Sequence, residues 1–225
     1  MTLKALIFDV DGTLAETEEA HRHAFNETFE AAGLGWHWDR ETYTALLKIT
    51  GGKERMRHYR ETLGAELPTD NEIATLHETK TRTYADILAR GDLTLRPGVR
   101  EVIEVARARG LKLAVATTTN RPNVDALCQC GWGRPANEVF DVVAAGDEVA
   151  NKKPAPDVYL LALLRLSLPA HACLAFEDSE NGVTSAQRAG LRVIATPSAY
   201  TASDDFSSAE ACVDHLSTDV LFQNA

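Results

Sequence analysis

Five short apolar, β-favouring runs punctuate the chain, at Ala5–Phe8, Leu111–Ala116, Phe140–Ala144, Cys173–Phe176 and Arg192–Ala195. They do not alternate polar with apolar, which is the pattern of strands buried on both faces. Between most of them lie helix-length segments, Gly98–Arg109, Asn123–Cys130, Pro156–Leu166 and Ser179–Ala189, with apolar residues three or four apart. That spacing makes one apolar stripe per helix, suited to packing on a sheet. The alternation predicts an α/β fold, a Rossmann-like three-layer core with helices on both faces of a parallel sheet. Ligands of such sheets bind beyond the carboxyl ends of the strands.

One region breaks the alternation. From Thr17 to about Arg90 the chain reads helical throughout, rich in Glu, His, Arg and Thr, with no convincing strand. It is expected to be an inserted helical-bundle cap, residues 17–90, with the core formed by 1–16 and 91–225. Glycine and proline at Gly91–Pro97 punctuate the return. An insert rooted just after the first strand is expected to act as a lid that excludes water and selects substrates. There is no internal repeat or low-complexity segment, and the tail after Tyr200 is polar and poorly patterned.

With 225 residues, 44% of them hydrophobic, the chain can fill a proper core. Its net charge of -10 argues against a general nucleic-acid or anionic-membrane surface, so an anionic substrate needs a local nest of Lys and Arg. The N-terminal apolar stretch is interrupted by acids and fits neither a signal peptide nor a membrane span, which predicts a cytoplasmic protein, expected to be monomeric. Cys128, Cys130, Cys173 and Cys212 show no paired C-x-x-C spacing and read as inert, mostly buried thiols.

Candidate chemistry clusters where the predicted strands stop. Asp9 and Asp11, two apart, would point the same way from an extended chain, and Gly12 frees the backbone to turn. Two like charges there make sense if a divalent cation and a phosphoryl group compensate them. The second strand ends in Thr117-Thr118-Thr119-Asn120, hydroxyls and N–H groups at a helix mouth that suit phosphate oxygens. Lys152-Lys153-Pro154 opens another helix, and Glu177-Asp178 is a second acidic pair. Each piece has a plainer reading: an acid pair can be a helix N-cap, the threonines strand and cap residues, the lysines a solvated pair. All four in this order, each at a strand end, predict one shared site.

These motifs resemble the haloacid-dehalogenase-like superfamily, with D-x-D-G-T at Asp9–Thr13, its hydroxyl at Thr117, its lysine at Lys153 and its terminal acids at Glu177 and Asp178. The resemblance implies that Asp9 attacks phosphorus, forming an aspartyl-phosphate, and that Asp11 protonates the leaving oxygen and then deprotonates water. It implies Mg²⁺ held by the Asp9 carboxylate, the Asp11 carbonyl and Asp178, with Glu177 direct or through water. Thr117 and Lys153 would hold phosphoryl oxygens. Asp11 argues against dehalogenation, which has no leaving alkoxide to protonate. Phosphonate-cleaving relatives use a Schiff-base lysine in the cap, for which Lys48, Lys53 and Lys80 are only nominal candidates.

The strings D-V-D-G-T-L-A-E-T-E-E, T-G-G-K-E-R, A-T-T-T-N and K-K-P-A-P-D-V-Y resemble the CbbY family more narrowly. That resemblance implies dephosphorylation of xylulose-1,5-bisphosphate, an inhibitor of Rubisco, to xylulose 5-phosphate. His21 lies where beta-phosphoglucomutase relatives carry a histidine that relays cap closure, its plainer reading being a solvated or helix-capping residue. Glu16 is similar to an acid that contacts substrate hydroxyls or the cap hinge. Gly51, Gly52, Lys53 and Arg55 put N–H groups and cations at a probable helix start, suited to a second, non-reacting phosphate. Trp36, Trp38 and Tyr43 read mainly as cap-core packing, with Tyr43 able to reach the substrate, and Thr118 and Thr119 complete the expected binding set. A sugar phosphomutase and a catalytically silent binding protein on the same scaffold are the alternatives.

Overall fold

The computed structural model describes residues 2–91 and 93–219. The chain divides into two compact units, Met1–Glu16 with Leu93–Ala225, and Thr17–Asp92. Along the chain β1 (Ala5–Phe8) is followed by α1 (Glu18–Ala31), α2 (Arg40–Leu47), α3 (Gly52–Thr62) and α4 (Asp70–Ala89). The remainder runs α5 (Val99–Ala108), β2 (Lys112–Ala116), α6 (Arg121–Trp132), α7 (Ala136–Val139), β3 (Val142–Ala144) and α8 (Asp157–Leu166). It closes with β4 (Cys173–Glu177), α9 (Glu180–Arg188), β5 (Arg192–Ala195) and β6 (Ala211–Cys212).

The six strands form one parallel sheet in the order β3-β2-β1-β4-β5-β6. The five apolar runs are all strands within two residues of their expected ends. Three described elements of the core unit escape the sequence reading: the single turn α7, the 3-10 turn Ala170–Ala172, and β6, whose two residues are exposed and carry no apolar pattern. The tail after Tyr200 is thus better tied to the core than its composition suggests.

Both faces of the sheet are covered, which is why its strands are apolar on both sides. Ala5, Ile7, Ala114, Ala116, Ala175, Val193 and Ala195 share a cluster with Val158, Tyr159 and Ala162 of α8 and Val183 and Ala186 of α9. Small residues on this face let the two helices come close. Larger ones, Leu6, Phe8, Leu113, Val115, Leu174 and Phe176, fill the other face and are fully buried. Phe8 stacks on Phe176 across β1 and β4 at 4.9 Å between ring centroids, an offset contact that adds to their burial.

In the helical unit, α1 packs along α4 over an aromatic core of Phe25, Phe29, Trp38, Tyr43 and Tyr84. Asp39 caps α2 by accepting from the Thr42 N–H at 2.7 Å. Thr69 and Glu72 form a reciprocal capping box at the start of α4. Each such cap satisfies donors the first turn leaves open, contributing about 1 kcal/mol. Among the described residues no helix is long and apolar enough to cross a membrane.

Candidate active site

Three neighbouring parallel strands deliver the site. β1 pairs with β2 on one side and β4 on the other, so the residues just past their ends emerge together. Asp9 extends β1 by donating its N–H to the Phe176 carbonyl at 3.0 Å, and Thr117 extends β2 by donating to Ala144 at 3.1 Å. Glu177 is the last residue of β4 and Asp178 follows it. Between β1 and β4 the strand order reverses, the position where open α/β sheets leave a crevice.

Two glycines make room for the acids. Gly12 has φ of 81°, and a Cβ on it would sit 2.0 Å from Asp178 Oδ2. A Cβ on Gly182 would sit 1.9 Å from Glu177 Oε2. The N-cap of α9 is Ser179, whose hydroxyl accepts from the Gly182 N–H at 3.2 Å. The plainer reading of Glu177-Asp178 as a helix cap therefore passes to the serine beside them.

Lys153 reaches back from the turn before α8 and donates from Nζ to Asp9 Oδ1 and to Glu177 Oε1, each at 2.6 Å. The Tyr159 hydroxyl donates to the same Glu177 oxygen at 2.5 Å. Asp9, Lys153, Glu177 and Asp178 are all buried. Burial pushes the Asp9 carboxyl well above the ordinary carboxylate range; Lys153 opposes this, while the negative charges of Glu177 and Asp11 add to it. For Lys153 burial works against the ammonium, but the Asp9 and Glu177 carboxylates outweigh it and its pKa is raised. The Tyr159 phenol is pushed up by burial and by Glu177, so it stays a neutral donor.

Oxygens of Asp9, Glu177 and Asp178 lie within 4.8 Å of one another. Three carboxylates beside one ammonium fall two positive charges short of neutrality. Buried Glu177 Oε2 has no hydrogen-bond partner among the described residues. Hard oxygen donors, a charge deficit and an open acceptor together fit a divalent cation of the Mg²⁺ or Ca²⁺ type.

The other expected site residues fall as follows. Thr117 is buried and its hydroxyl accepts from the Thr119 N–H at 3.2 Å, which leaves its own proton for an acceptor in the site. Thr119 accepts from Asn123 at 2.7 Å, and the Thr118 carbonyl packs against Gly146. Asp11 is bridged to Ala15 and lies near enough to Asp9 to raise its pKa. Glu16 accepts from the Ala199 N–H at 3.3 Å and faces Arg96 at 3.5 Å. These residues belong to the core unit and gather at its strand ends.

The remainder lie in the helical unit. His21 is buried, stacked on Tyr84 at 4.0 Å, with Nδ1 2.6 Å from Lys80 Nζ, which corrects the solvated and capping reading. Lys80 is buried too, its ammonium 4.6 Å from the Phe25 ring centre. The Tyr43 ring is fully buried and its hydroxyl donates to Glu18 at 2.7 Å while accepting from Arg55 at 3.2 Å. Arg55 also donates to the Ile49 carbonyl at 2.9 Å, so its guanidinium braces the turn at Gly51 and Gly52, where α3 starts. Lys53, one residue into α3, makes no ion pair among the described residues.

Among the thiols, burial raises Cys128 to about 12 and Cys173 to about 11, which leaves both inert. Cys130 is half-buried, whereas Cys212 is exposed, against the expectation of mostly buried thiols. Sequence reasoning missed Tyr159, Arg96, Ser198 and Thr201. Only Tyr159 carried a signal, as a polar residue in the apolar stripe of α8.

Residues 3–190 match the family model of the haloacid dehalogenase-like hydrolases, and the chain belongs to that family. Within it the chain falls among the CbbY proteins: it is 61% identical to protein CbbY of Rhodobacter capsulatus over 217 residues, 96% of this chain and 95% of that one. A solved structure of a CbbY variant from Rhodobacter sphaeroides in complex with xylulose-(1,5)bisphosphate is 50% identical, covers 95% of both chains and superposes with a TM-score of 0.90. A beta-phosphoglucomutase from Clostridium difficile, 19% identical with a TM-score of 0.82 over 99% of this chain and 97% of its own, shares the fold.

Proposed function

We propose that this chain is a Mg²⁺-dependent phosphatase that hydrolyses xylulose-1,5-bisphosphate to xylulose 5-phosphate and inorganic phosphate. The observation that carries the chemistry is the buried set of Asp9, Glu177 and Asp178 around one ammonium, Lys153. The choice of sugar is supported by the bisphosphate bound to the half-identical relative.

In this reading Asp9 Oδ forms a bond to phosphorus as the bond to the sugar oxygen breaks, and Asp11 delivers a proton to that oxygen. Water then attacks the aspartyl-phosphate, gives its proton to Asp11, and leaves Asp9 free beside inorganic phosphate. A carboxylate approaching a phosphate dianion needs positive charge along the path. Lys153 supplies part of it, and Mg²⁺ held by the Asp9 and Asp178 carboxylates and the Asp11 carbonyl, with Glu177 direct or through water, would supply the rest. Thr117 donates its hydroxyl proton to a phosphoryl oxygen, held toward it by the Thr119 N–H that its oxygen accepts, and the Thr118 N–H adds to that cradle.

Phosphate release from pentulose and hexose mono- and bisphosphates, with Mg²⁺ and with chelator, tests the reading. Stoichiometric release strongest from xylulose-1,5-bisphosphate and lost on chelation is expected. Release that is substoichiometric and needs a bisphosphate primer would instead identify a sugar phosphomutase.

The second phosphate is assigned to the start of α3, where N–H groups at Gly51 and Gly52 and the Lys53 ammonium suit an anion. Lys53→Ala is expected to raise KM for bisphosphates about tenfold, the value of one charge-assisted contact, and to leave KM for monophosphates unchanged. Arg55→Ala should do the same and also lower the melting temperature, because its guanidinium braces Ile49 and Tyr43. Equal losses for mono- and bisphosphates would remove the second-phosphate assignment.

A further inference from the structure

Arg96 lies just after the chain re-enters the core unit, and its side chain is 10% exposed. A guanidinium carries five N–H donors and no acceptor, so a buried one must find several oxygens. Here most of them are backbone carbonyls. Nη1 donates to the Gly12 carbonyl and, at 2.7 Å, to that of Thr196, with the Thr196 hydroxyl at 3.2 Å. Nη2 donates to the Pro197 carbonyl at 2.8 Å and faces that of Asp214 at 3.4 Å. Nε lies 3.5 Å from Glu16, the acid that also accepts from Ala199.

Two of the segments gripped in this way bear on the acids. Gly12 follows Asp11 and leaves the space into which Asp178 fits. Thr196 and Pro197 lead into a turn in which Thr201 Oγ1 accepts from the Ser198 N–H at 2.9 Å. Thr201 donates its single hydroxyl proton to the Asp178 carbonyl. The 2.9 Å contact between the two hydroxyls therefore has Ser198 as donor. The same Thr201 oxygen lies 3.4 Å from Asp178 Oδ2.

We propose that Arg96 is a positioning residue for the metal-binding acids: by gripping the Gly12 and Thr196–Pro197 carbonyls at once, it sets the Asp9–Asp11 loop against the Ser198–Thr201 turn that orients Asp178. The proposal rests on the reading of the acids as a Mg²⁺ site. Supports of metal ligands typically contribute 10- to 100-fold to metal affinity. Positive charge alone cannot replace this grip, because a lysine ammonium has neither the reach nor the planar fork to span two segments.

Calorimetric titration of the full chain with Mg²⁺, without substrate, tests this in Arg96→Lys, Thr201→Val and Arg165→Lys. Arg165 is the control, since it also donates to a backbone carbonyl, Val143, and pairs with Glu148, away from the acids. Arg96→Lys and Thr201→Val are each expected to weaken Mg²⁺ about tenfold, while KM for the sugar phosphate at saturating Mg²⁺ stays within twofold and Arg165→Lys binds Mg²⁺ as the parent does. Unchanged Mg²⁺ affinity in folded Thr201→Val, or an equal loss in Arg165→Lys, overturns the proposal. Should Arg96→Lys fail to fold, Thr201→Val alone decides. Parent protein that takes up no Mg²⁺ removes the metal-site reading itself, whereas parent binding with unaltered variants removes only the role of Arg96.

Discussion

Asp9→Asn is expected to release no phosphate, a loss of about 10⁴-fold or more, the scale seen when a nucleophile is removed. The same change should raise the melting temperature of the metal-free protein. The Asp9 carboxyl is buried and its pKa is raised, first by desolvation and then by Glu177 and Asp11, against the pull of Lys153. With the folded pKa above the unfolded value, the native state binds more protons, and stability falls as pH rises. That contribution is complete below the unfolded carboxylate range and is lost as pH rises through the folded pKa of Asp9. Once ionised, the buried carboxylate is therefore a liability that the amide of asparagine avoids.

Each kcal/mol so recovered shifts the melting temperature by about 2–4 °C in a chain of this size. Mg²⁺ should stabilise the parent increasingly toward alkaline pH, because its ligands must be deprotonated, and at a hundredfold excess over Kd by about 2.7 kcal/mol. Melting curves of parent and variant between pH 5 and 9, with Mg²⁺ and with chelator, check both signs. Turnover retained in the variant would remove Asp9 as nucleophile. A metal-free parent whose stability relative to Asp9→Asn rises with pH would contradict the raised pKa.

Much of this site was legible because its parts are local. Leu6-Ile7-Phe8 reads as a buried strand, and Asp9 must emerge where it stops. Lys153 precedes a proline and a helix start, so its distance from the sheet edge is short whatever the rest of the chain does. Glu177 ends an apolar run that reads as a buried strand, while the pairing of that strand with β1 is set by the strand order and not by the alternation. What escaped acts across the chain through backbone atoms that leave no trace in composition. Arg96 grips carbonyls 84 and 100 residues away, at Gly12 and Thr196, and any residue type offers a carbonyl. Thr201 and β6 lie in a tail whose order comes from pairing with β5 and from Asp178, not from a stripe of its own.

The helical unit shows the same division. Trp38 and Tyr43 read correctly as core aromatics and Trp36 is half-buried beside them, because large aromatic side chains have few other places to go. His21 and Lys80 did not, since two polar residues 59 positions apart reveal nothing of their 2.6 Å contact until α1 is laid along α4. Arg55 was read for its charge, whereas its geometry is fixed by Tyr43 and Ile49. The start of α4 was open to reading: T-D-N-E at Thr69–Glu72 is the capping-box pattern.

Lys153→Met keeps the length of the side chain and removes its charge, and it should harm stability and activity together. The ammonium is shared between two carboxylates, Asp9 and Glu177, inside a buried site. Removing one partner from such a cluster leaves uncompensated buried charge, which costs about 3–5 kcal/mol. Asp9, whose raised pKa Lys153 opposes, must then ionise without a cation beside it, so the loss should be smaller at pH 5 than at pH 8. The sign is that of Asp9 made steeper, with the variant binding more protons when folded than when unfolded. Mg²⁺ should restore part of the stability at pH 8, because a divalent ion answers the same charge deficit. Phosphate release should not return with it, falling about 10³-fold even at saturating Mg²⁺, since no ammonium then shields the path of Asp9 to phosphorus. Melting temperatures at the two pH values, with Mg²⁺ and with chelator, beside turnover on xylulose-1,5-bisphosphate, separate the two effects. A loss of stability equal at both pH values would mean that Lys153 acts by packing on Tyr159, whose ring centre lies 5.1 Å from the ammonium, rather than by neutralising the acids.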